Sequence, residues 1–423
     1  MPTVCVKTLG CRLNQAETAR IKAGFVQAGY RLAAKDEPAD VCVIHTCTVT
    51  AAARAESARL ARSARRRRPD ACVILAGCAA EVEPAALRAE TGADVVAGQA
   101  DKFRLPELLG GTGPAPAGPA AVPLFETTRA WLKAQDGCDF RCAYCIVPAA
   151  RGPARSRPAA ELVAEAEQLT ERGHRELVVT GANLGCYADG STGLVDLLAR
   201  LEAVTGLARL RISSIEVSTV ERDVISYMET SGKLCRFLHL PLQTGSDRLL
   251  AAMGRRYTRA EYRALVRFAA DRLPGAGIGT DLVTGLPGED EAAFQDTVRL
   301  VEELPFSNLH VFPYSPRPGT RAAALPDRPA REIARERAAR LTELGRRKRA
   351  AFARRFQGRA VEVLVERVDS DGCGAGWTRE YLPARVSGEG RAPGQVVEGL
   401  VRAVKEIRLC VEPAQLSTSN IEH

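Results

Sequence analysis

Short apolar segments alternate with longer amphipathic segments over the N-terminal quarter of the chain. The apolar segments are typical of buried strands, and the amphipathic ones have the three- to four-residue spacing of helices. The predicted strands are Thr3–Thr8, Val41–Ile44 and Cys72–Leu75. The predicted helices are Asn14–Ala28, Ala51–Arg66 and Pro84–Glu90. This alternation predicts an open parallel α/β sheet with helices covering both faces.

The alternation continues from Thr127 to Pro316, where it repeats six times. Six units predict a partial (β/α)6 barrel rather than the closed barrel of eight units. The predicted strands are Ala130–Ala134, Glu176–Thr180, Arg209–Ser213, Phe237–Leu240, Gly277–Val283 and Leu309–Pro313. The predicted helices are Ala159–Arg172, Leu194–Val204, Val220–Thr230, Arg259–Asp271 and Glu291–Glu303.

The pattern changes after the last of these strands. A long Arg-rich helix is predicted at Ala330–Phe356, and its apolar positions form one stripe. These positions are Leu341, Leu344, Phe352 and Phe356. Short alternating runs follow, separated by turn residues, and they predict a small antiparallel β-barrel. The runs are Val361–Val365, Tyr381–Val386 and Gln395–Val404.

These patterns divide the chain into three domains and a linker. The first domain spans residues 1–105, the linker 106–126, the partial barrel with its Arg-rich helix 127–356, and the last domain 357–414. The linker includes Gly110–Pro123, which is dense in Gly, Pro and Ala and is typical of a flexible connection. A hydrophobic content of 46% is ample for separate cores in a chain of 423 residues.

The compartment affects how the cysteines are interpreted. Residues Met1–Val6 lack the basic stretch and apolar core of a signal peptide, and no apolar run approaches the length of a membrane span. We therefore expect a cytoplasmic protein without a membrane partner. In that reducing compartment the clustered members of the 13 cysteines are expected to bind metal or take part in catalysis rather than to form disulfides.

Basic residues are concentrated in two segments. Residues 328–355 contain 11 Arg or Lys and 3 Glu, a balance of +8 that equals the formal net charge of the whole chain. The second segment is Arg65–Arg68. Each is either a solvated helix face or a surface that binds nucleic-acid phosphates. Residues 357–412 carry 8 basic and 9 acidic side chains, so we expect little electrostatic attraction from the last domain.

Three cysteines lie within eight residues, in a loop that follows a predicted strand: Cys138, Cys142 and Cys145. Closely spaced thiolates suit iron–sulfur clusters or zinc. A structural zinc ion prefers four ligands, and the nearest further candidates, His174 and Cys186, lie beyond the next predicted helix. The spacing therefore favours an iron–sulfur cluster in which one iron remains open.

Three more cysteines, Cys11, Cys47 and Cys78, each follow a predicted strand of the first sheet. The carboxyl ends of parallel strands share one edge, where ligands bind, so these cysteines predict a second site with three thiolates. The alternative is that they are small buried hydrophobic residues. No role is predicted for the remaining isolated cysteines, Cys186, Cys235, Cys373 and Cys410.

Several motifs resemble those of the radical S-adenosylmethionine (SAM) methylthiotransferases, and they occur in the family order along nearly the whole chain. The N-terminal motifs are Thr8–Gln15, Thr46–Thr50 and Gly77–Cys78. The radical SAM motif is Cys138–Cys145, followed by Ile146–Pro148 and Arg151–Gly152. Further matches are Ser213–Glu216, Leu240–Ser246 and Gly285–Glu289. One departure is His45, which stands where the family pattern has Asn.

The resemblance implies SAM and two [4Fe–4S] clusters as cofactors, with an electron donor and a sulfur source as partners. Cys138, Cys142 and Cys145 would hold the cluster that cleaves SAM. The cysteines at the strand ends of the first sheet would hold an auxiliary cluster. One SAM would donate a methyl group to sulfur there, and a second would yield the radical that activates a C–H bond. The last domain resembles the TRAM-like barrel, which often contacts RNA.

Thr180–Gly185 and Gly376–Leu382 resemble the subgroup that acts on N6-threonylcarbamoyladenosine at position 37 of tRNA, in the anticodon stem-loop. Leu309–Ser315 also suits that subgroup. Two alternatives keep the chemistry but change the substrate to N6-isopentenyladenosine in tRNA or to an aspartate of a ribosomal protein. A third is an RNA-binding protein whose cysteines hold structural metal.

Polar residues follow the strands of the predicted partial barrel, at the carboxyl ends where active sites of such barrels form. We expect six of them to contact SAM or the substrate adenosine: Thr180, Asn183, Ser214, Glu216, Gln243 and Asp281. The alternative for each is ordinary loop and capping chemistry. His239 and His310 are flanked by apolar residues and are expected to be core or supporting residues rather than ligands.

Overall fold

The computed structural model of the chain describes residues 1–34, 36–110, 122–220 and 222–414. Its N-terminal part contains five strands: β1 Thr3–Thr8, β2 Arg31–Leu32, β3 Val41–Thr46, β4 Cys72–Gly77 and β5 Val95–Ala97. It contains five helices: α1 Arg12–Gln27, α2 Ala51–Arg67, α3 Cys78–Val82, α4 Pro84–Thr91 and α5 Leu105–Leu108. The strands pair in parallel in the order β2-β1-β3-β4-β5, which confirms the predicted sheet.

The central strand β3 shows why both faces of this sheet are covered. Successive side chains of a strand point to opposite faces, and every residue of β3 is buried. Cys42 and Ile44 pack with the alanines of α2, whereas Val41 and Val43 pack with residues of α1 and α5. Strands β2 and β5 were not predicted from the sequence, because strands of two or three residues are too short to show a period.

The middle of the chain contains six main parallel strands and one short antiparallel pair, β7 and β8. The strands are β6 Arg129–Lys133, β7 Gln135–Asp136, β8 Arg155–Ser156, β9 Glu176–Thr180, β10 Arg209–Ile212, β11 Phe237–His239, β12 Gly277–Thr284 and β13 Asn308–Pro313. The helices are α6 Val147–Arg151, α7 Ala159–Glu171, α8 Leu194–Glu202, α9 Arg222–Thr230, α10 Asp247–Ala252, α11 Arg259–Arg272, α12 Glu291–Glu303 and α13 Arg331–Arg354.

The six main strands form two parallel sheets of three, β6-β9-β10 and β11-β12-β13. The two sheets meet where Leu210 bridges Leu234 and where the amide of Ile215 donates to the carbonyl of His239 at 3.1 Å. The result is an open arc of six strands with one shared core, which confirms the predicted partial barrel.

The C-terminal part is a closed five-stranded barrel in the order β14-β15-β16-β18-β17. Its strands are β14 Ala360–Val368, β15 Gly374–Thr378, β16 Pro383–Val386, β17 Val396–Lys405 and β18 Arg408–Pro413. Four of the five pairings are antiparallel, as predicted, and β16 closes the barrel by pairing in parallel with β18.

The long helix α13 connects two hydrophobic cores. Leu341 and Leu344 belong to the core of the partial barrel, whereas Phe352 and Phe356 belong to the core of the small barrel. The apolar stripe predicted from the sequence therefore serves two domains, and it fixes the small barrel against the partial one.

Two further predictions concern the connections and the membrane. The predicted linker, 106–126, overlaps α5, and its residues 111–121 lie outside the described part of the chain. Among the helices of the described residues, none has the length and apolar character needed to cross a bilayer.

Candidate active site

A cavity of about 390 Å³ opens at the carboxyl ends of the barrel strands. Cys138, Cys142 and Cys145 line it from the loop between β7 and α6. Five of the six polar residues predicted to contact SAM or substrate also line it, namely Asn183, Ser214, Glu216, Gln243 and Asp281. The structure thus brings the cysteine loop and these polar residues to one place, which we call the first cavity.

The cysteine loop is held by backbone hydrogen bonds to distant elements. The amide of Cys138 donates to the carbonyl of Gly152 at 3.1 Å, and the amide of Ala143 donates to the carbonyl of Met253 at 2.8 Å. Two thiol sulfurs also accept backbone hydrogen bonds. The amide of Phe140 lies 3.4 Å from Sγ of Cys138, and the amide of Val147 lies 3.4 Å from Sγ of Cys145. Amide donors of this kind stabilise thiolates.

Arg255 connects the cysteine loop with the polar wall of the first cavity. Its guanidinium pairs with Glu216, and it lies 3.4 Å from Sγ of Cys142 and 3.3 Å from the hydroxyl of Tyr144. Burial raises the pKa of Glu216, although the charge of Arg255 opposes that effect. Arg255 was not predicted from the sequence, because nothing in its local sequence distinguishes it from the many other arginines.

Gln243 has a positive backbone φ of 72°, which is uncommon for a residue other than glycine. Two hydrogen bonds to β12 hold it there. The amide of Gln243 donates to the carbonyl of Asp281, and the amide of Val283 donates to the carbonyl of Gln243, each at 2.8 Å. Such conformations are concentrated at functional sites.

A second cavity, of about 560 Å³, adjoins the first and contains the other cysteine triplet. Cys11 precedes α1, Cys47 directly follows β3, and Cys78 begins α3 directly after β4. Because β1, β3 and β4 are neighbours in the parallel sheet, their carboxyl ends bring the three thiols together. Thr180, the sixth predicted polar residue, lines this second cavity rather than the first.

The close approach of Gly10 shows how tightly the second triplet is built. Its φ is +94°, and a Cβ atom at this position would lie 2.7 Å from Sγ of Cys47. Only glycine combines that backbone conformation with that contact. Asn14 lies beside the same thiols, with its Oδ1 3.8 Å from Sγ of Cys11 and its Nδ2 donating to the carbonyls of Leu9 and Thr46.

The two cavities share part of their walls. The residues that line both are Val49, Ile146, Val147, Ala182, Ser214, Asp281 and Phe312. Five of the seven are apolar, and Asp281 is the one charged residue among them. A ligand in one cavity would therefore lie next to a ligand in the other.

A buried ionic network joins the two cysteine-bearing domains. Glu17 of α1 pairs with Lys102 at 2.7 Å, with Arg151 at 2.9 Å and with Lys133. Arg151 also donates to Oδ1 of Asn14 at 2.6 Å. Burial alone would raise the pKa of Glu17, but the three cations lower that pKa well below its usual value.

His45, the departure from the family pattern, lies beside this network and is fully buried. Its Nδ1 lies 2.8 Å from the hydroxyl of Thr18 and 3.1 Å from the carbonyl of Asn14. Burial lowers the pKa of His45 to about 4, so the imidazole is neutral at physiological pH. The residue therefore supports helix α1 through neutral hydrogen bonds.

A cluster of imidazoles and a carboxylate forms another side of the second cavity. Asp281 accepts from Nε2 of His239 at 2.9 Å and from Nδ1 of His310 at 3.2 Å. Burial would raise the pKa of Asp281, but these two hydrogen bonds hold it below its usual range. His239 is buried, whereas about half of the His310 side chain is exposed, so His310 is a supporting residue beside Asp281 rather than a core residue.

The chemistry of both cysteine sets fits iron–sulfur clusters better than single metal ions. Three thiolates on one zinc ion, at about 2.3 Å each, would lie within about 4 Å of one another. In the described residues, the one set of three potential ligand atoms within 4.8 Å is that of His239, Asp281 and His310, which includes no cysteine. Burial raises the pKa of Cys78 to about 11 and that of Cys145 to about 12, so metal binding would have to displace their protons.

Comparison with known proteins agrees with this geometry. Residues 132–301 match the radical SAM superfamily, and residues 3–98 match a family described as uncharacterized protein family UPF0004. The chain is 35% identical to the threonylcarbamoyladenosine tRNA methylthiotransferase MtaB of Bacillus subtilis, over 94% of this chain and 93% of that protein. The chain belongs to the radical SAM methylthiotransferase family. A methylthiotransferase of this family uses SAM and a [4Fe–4S] cluster.

Other relatives of this chain are methylthiotransferases whose names give different substrates. MtaB of Aquifex aeolicus is 35% identical over 86% of this chain and 92% of its own length. The tRNA-2-methylthio-N(6)-dimethylallyladenosine synthase of Sorangium cellulosum is 36% identical over 96% of this chain and 92% of its own length. Identity alone therefore does not distinguish the substrates of these relatives.

Solved structures share the fold of this methylthiotransferase at low sequence identity. The radical SAM methyltransferase TsrM of Kitasatospora setae aligns with a TM-score of 0.57 and 15% identity, covering 76% of this chain and 77% of its own. At that identity the likeness concerns the fold, which is a barrel of the radical SAM type preceded by an α/β domain.

Proposed function

We propose that this enzyme converts N6-threonylcarbamoyladenosine at position 37 of tRNA into its 2-methylthio derivative, using SAM and two [4Fe–4S] clusters. The observation that carries the proposal is the convergence of two cysteine triplets on adjoining cavities with shared walls. Insertion of a methylthio group requires hydrogen abstraction and sulfur transfer at the same carbon atom. Two adjoining sites would satisfy that requirement.

In this proposal each cysteine triplet holds one cluster, and when bound the two clusters supply the electron that cleaves SAM and the sulfur that is transferred. Cys138, Cys142 and Cys145 would hold the first cluster. Three thiolates on four irons leave one iron without a protein ligand. Cys11, Cys47 and Cys78 would hold the second cluster in the same way.

The polar residues divide between the cavities, and we assign their roles accordingly. Asn183, Glu216 and Gln243 line the first cavity alone and would orient SAM, with Arg255 holding Glu216 in place. Ser214 and Asp281 line both cavities and would contact SAM and the substrate base. Thr180 lines the second cavity alone and would contact the substrate base. The apolar residues of the shared wall would exclude water, which protects a radical from side reactions.

Attraction to tRNA would come mainly from α13. Seven of its arginines are exposed, counting Arg355 directly after it: Arg331, Arg335, Arg340, Arg346, Arg347, Arg354 and Arg355. Arg337, Arg346 and Lys348 contribute less. Arg337 is paired with Glu289, Arg346 is paired with Glu343, and Lys348 donates to backbone carbonyls. In the Arg65–Arg68 segment, Arg65 pairs with Asp94 and Arg68 pairs with Asp40, so two of the four charges are locally compensated.

The proposal is tested by nucleoside analysis. Reconstituted enzyme, SAM, a reductant and a sulfide source are incubated with tRNA that carries N6-threonylcarbamoyladenosine but lacks the methylthio group. Mass spectrometry of the digested tRNA should show the 2-methylthio product. A parallel reaction with tRNA carrying N6-dimethylallyladenosine tests the second candidate, which the relative from Sorangium cellulosum favours. Product from that tRNA alone would overturn the proposed substrate and leave the chemistry intact.

The remaining expectations on partners and location follow from the same proposal. An electron donor and a sulfur source would be needed for turnover, and the anticodon stem-loop of tRNA would be the macromolecular partner. We place the enzyme in the cytoplasm, where reducing conditions keep cysteines available for clusters.

A further inference from the structure

Arg12 is a cation at the wall of the second cavity, and it lies directly after Cys11 at the start of α1. Its Nη2 donates to the hydroxyl of Tyr381 at 3.0 Å, and the guanidinium carbon lies 5.7 Å from the centre of the Tyr381 ring. Tyr381 also lines the cavity, although it belongs to the C-terminal barrel. The pair therefore connects the N-terminal domain with the C-terminal barrel.

Arg129 and Arg211 also lie over the Tyr381 ring, and Arg12 differs from them in having no carboxylate partner among the described residues. Arg129 pairs with Glu366 at 2.7 Å, and Arg211 pairs with Glu176 at 3.1 Å. Among the residues that the structure describes, no carboxylate oxygen lies within 4.0 Å of Arg12. Its remaining donors are therefore available to a ligand in the cavity.

Tyr381 is held firmly enough to position Arg12. Its ring stacks on that of Trp377, with 4.9 Å between the ring centres, and contacts the ring of Phe237, with 5.0 Å between the centres. Arg209 and Arg211 donate to the backbone carbonyls of residues 377–379, which fixes the segment that precedes Tyr381. Tyr381 itself has a positive φ of 67°, so this segment is constrained at a conformation that few residues adopt.

We propose that Arg12 binds the carboxylate of the substrate's N6 substituent, and that Tyr381 positions the guanidinium for that contact. This inference rests on the proposed function, since a threonylcarbamoyl group ends in a carboxylate. A guanidinium binds a carboxylate through charge-assisted and often paired hydrogen bonds. An apolar N6 substituent would instead cover Arg12 without offering an acceptor, so the same residue would disfavour that substrate.

The test compares two anticodon stem-loops on reconstituted enzyme, one with the natural threonyl carboxylate and one with that group converted to the neutral amide. For the wild-type enzyme the amide should raise KM about 10- to 100-fold, the effect expected from losing a charged hydrogen bond, with kcat changed much less. Arg12→Gln should raise KM for the acid by a similar factor and should not discriminate between acid and amide. Arg12→Lys should recover part of the discrimination, because it keeps the charge but loses the paired geometry.

Controls separate recognition from structure. Tyr381→Phe should raise KM for the acid but not for the amide, because it removes the hydroxyl that positions Arg12. Arg88→Gln, at an exposed arginine on α4, should change neither the KM for the acid nor the KM for the amide. Iron content is measured for every variant, because Arg12 adjoins Cys11.

Two results would overturn the inference. One is a wild-type enzyme that accepts acid and amide equally. The other is an Arg12→Gln variant that, at normal iron content, loses activity equally on both substrates and so still discriminates between them. The acid–amide comparison on the wild-type enzyme needs no variant to fold. If the wild-type enzyme modifies neither stem-loop, the proposed function fails first, and that outcome is distinct from a failure of Arg12.

Discussion

Glu17→Gln should strongly weaken the contact between the N-terminal domain and the partial barrel. Glu17 is 1% exposed, and its partners Lys102 and Arg151 are 2% and 3% exposed. The substitution removes one negative charge. Lys133 and Arg151 keep Asp136 as a carboxylate partner, whereas the ion pair of Lys102 with Glu17 is lost. Breaking a buried ion pair by removing one partner typically costs about 3–5 kcal/mol, because the remaining charge stays buried and uncompensated.

The assay is urea unfolding followed by tryptophan fluorescence, on iron-free chains so that cluster loss does not contribute. Trp131 lies two residues before Lys133 on β6 and reports on this region. With a urea slope of about 3 kcal/mol per molar, the loss should move the midpoint down by about 1 M or more. Glu56→Gln removes an exposed ion pair with Arg59 and should leave the urea midpoint unchanged.

Two further results sharpen this prediction. Combining Glu17→Gln with Lys102→Met removes one cation as well and should recover part of the lost stability. The folded pKa of Glu17 lies below the unfolded value, so its contribution is complete above the unfolded pKa and is lost as the pH falls through the folded one. The difference between wild type and variant should therefore shrink below about pH 4. An unchanged midpoint at pH 7 would refute the account of the network.

Three other perturbations test separate parts of the site. Gly10→Ala places a Cβ against Cys47 and should lower the iron content by about four atoms per chain. Gly29→Ala, at a similar positive φ but with open space around it, should retain the iron. Equal iron content in both variants would contradict the steric argument. Glu216→Gln should weaken SAM binding about tenfold or more, measured by equilibrium dialysis, and unchanged binding would remove Glu216 from the SAM site. Arg354→Gln on the exposed face of α13 should reduce the salt dependence of tRNA binding by about one unit of slope, and an unchanged slope would place the tRNA elsewhere.

The main elements and both cysteine groups could be predicted from the sequence, because each depends on local information. Long apolar strands and amphipathic helices show their period within one segment. Cys11, Cys47 and Cys78 could be grouped because a parallel sheet places its carboxyl ends on one edge whatever the details of packing. That rule needs only the position of each cysteine relative to its strand.

Other parts of the site could not be predicted, because they depend on contacts between distant segments. Arg255, which is 113 residues away in the chain, contacts Cys142 only in the folded partial barrel. Tyr381 enters the second cavity only because the small barrel packs against the partial one. The apolar stripe of α13 was visible in the sequence, but its division between two cores was not. The partly exposed position of His310 likewise depends on its place at the open rim of the sheet.

Iron and acid-labile sulfide content after anaerobic reconstitution tests the two-cluster account most directly. The wild-type chain should hold about eight irons, and replacing either Cys11, Cys47 and Cys78 or Cys138, Cys142 and Cys145 with Ala should leave about four. The first triple variant should still cleave SAM reductively, whereas the second should not. About four irons in the wild type, all lost with Cys138, Cys142 and Cys145, would contradict the second cluster and the sulfur-transfer chemistry built on it.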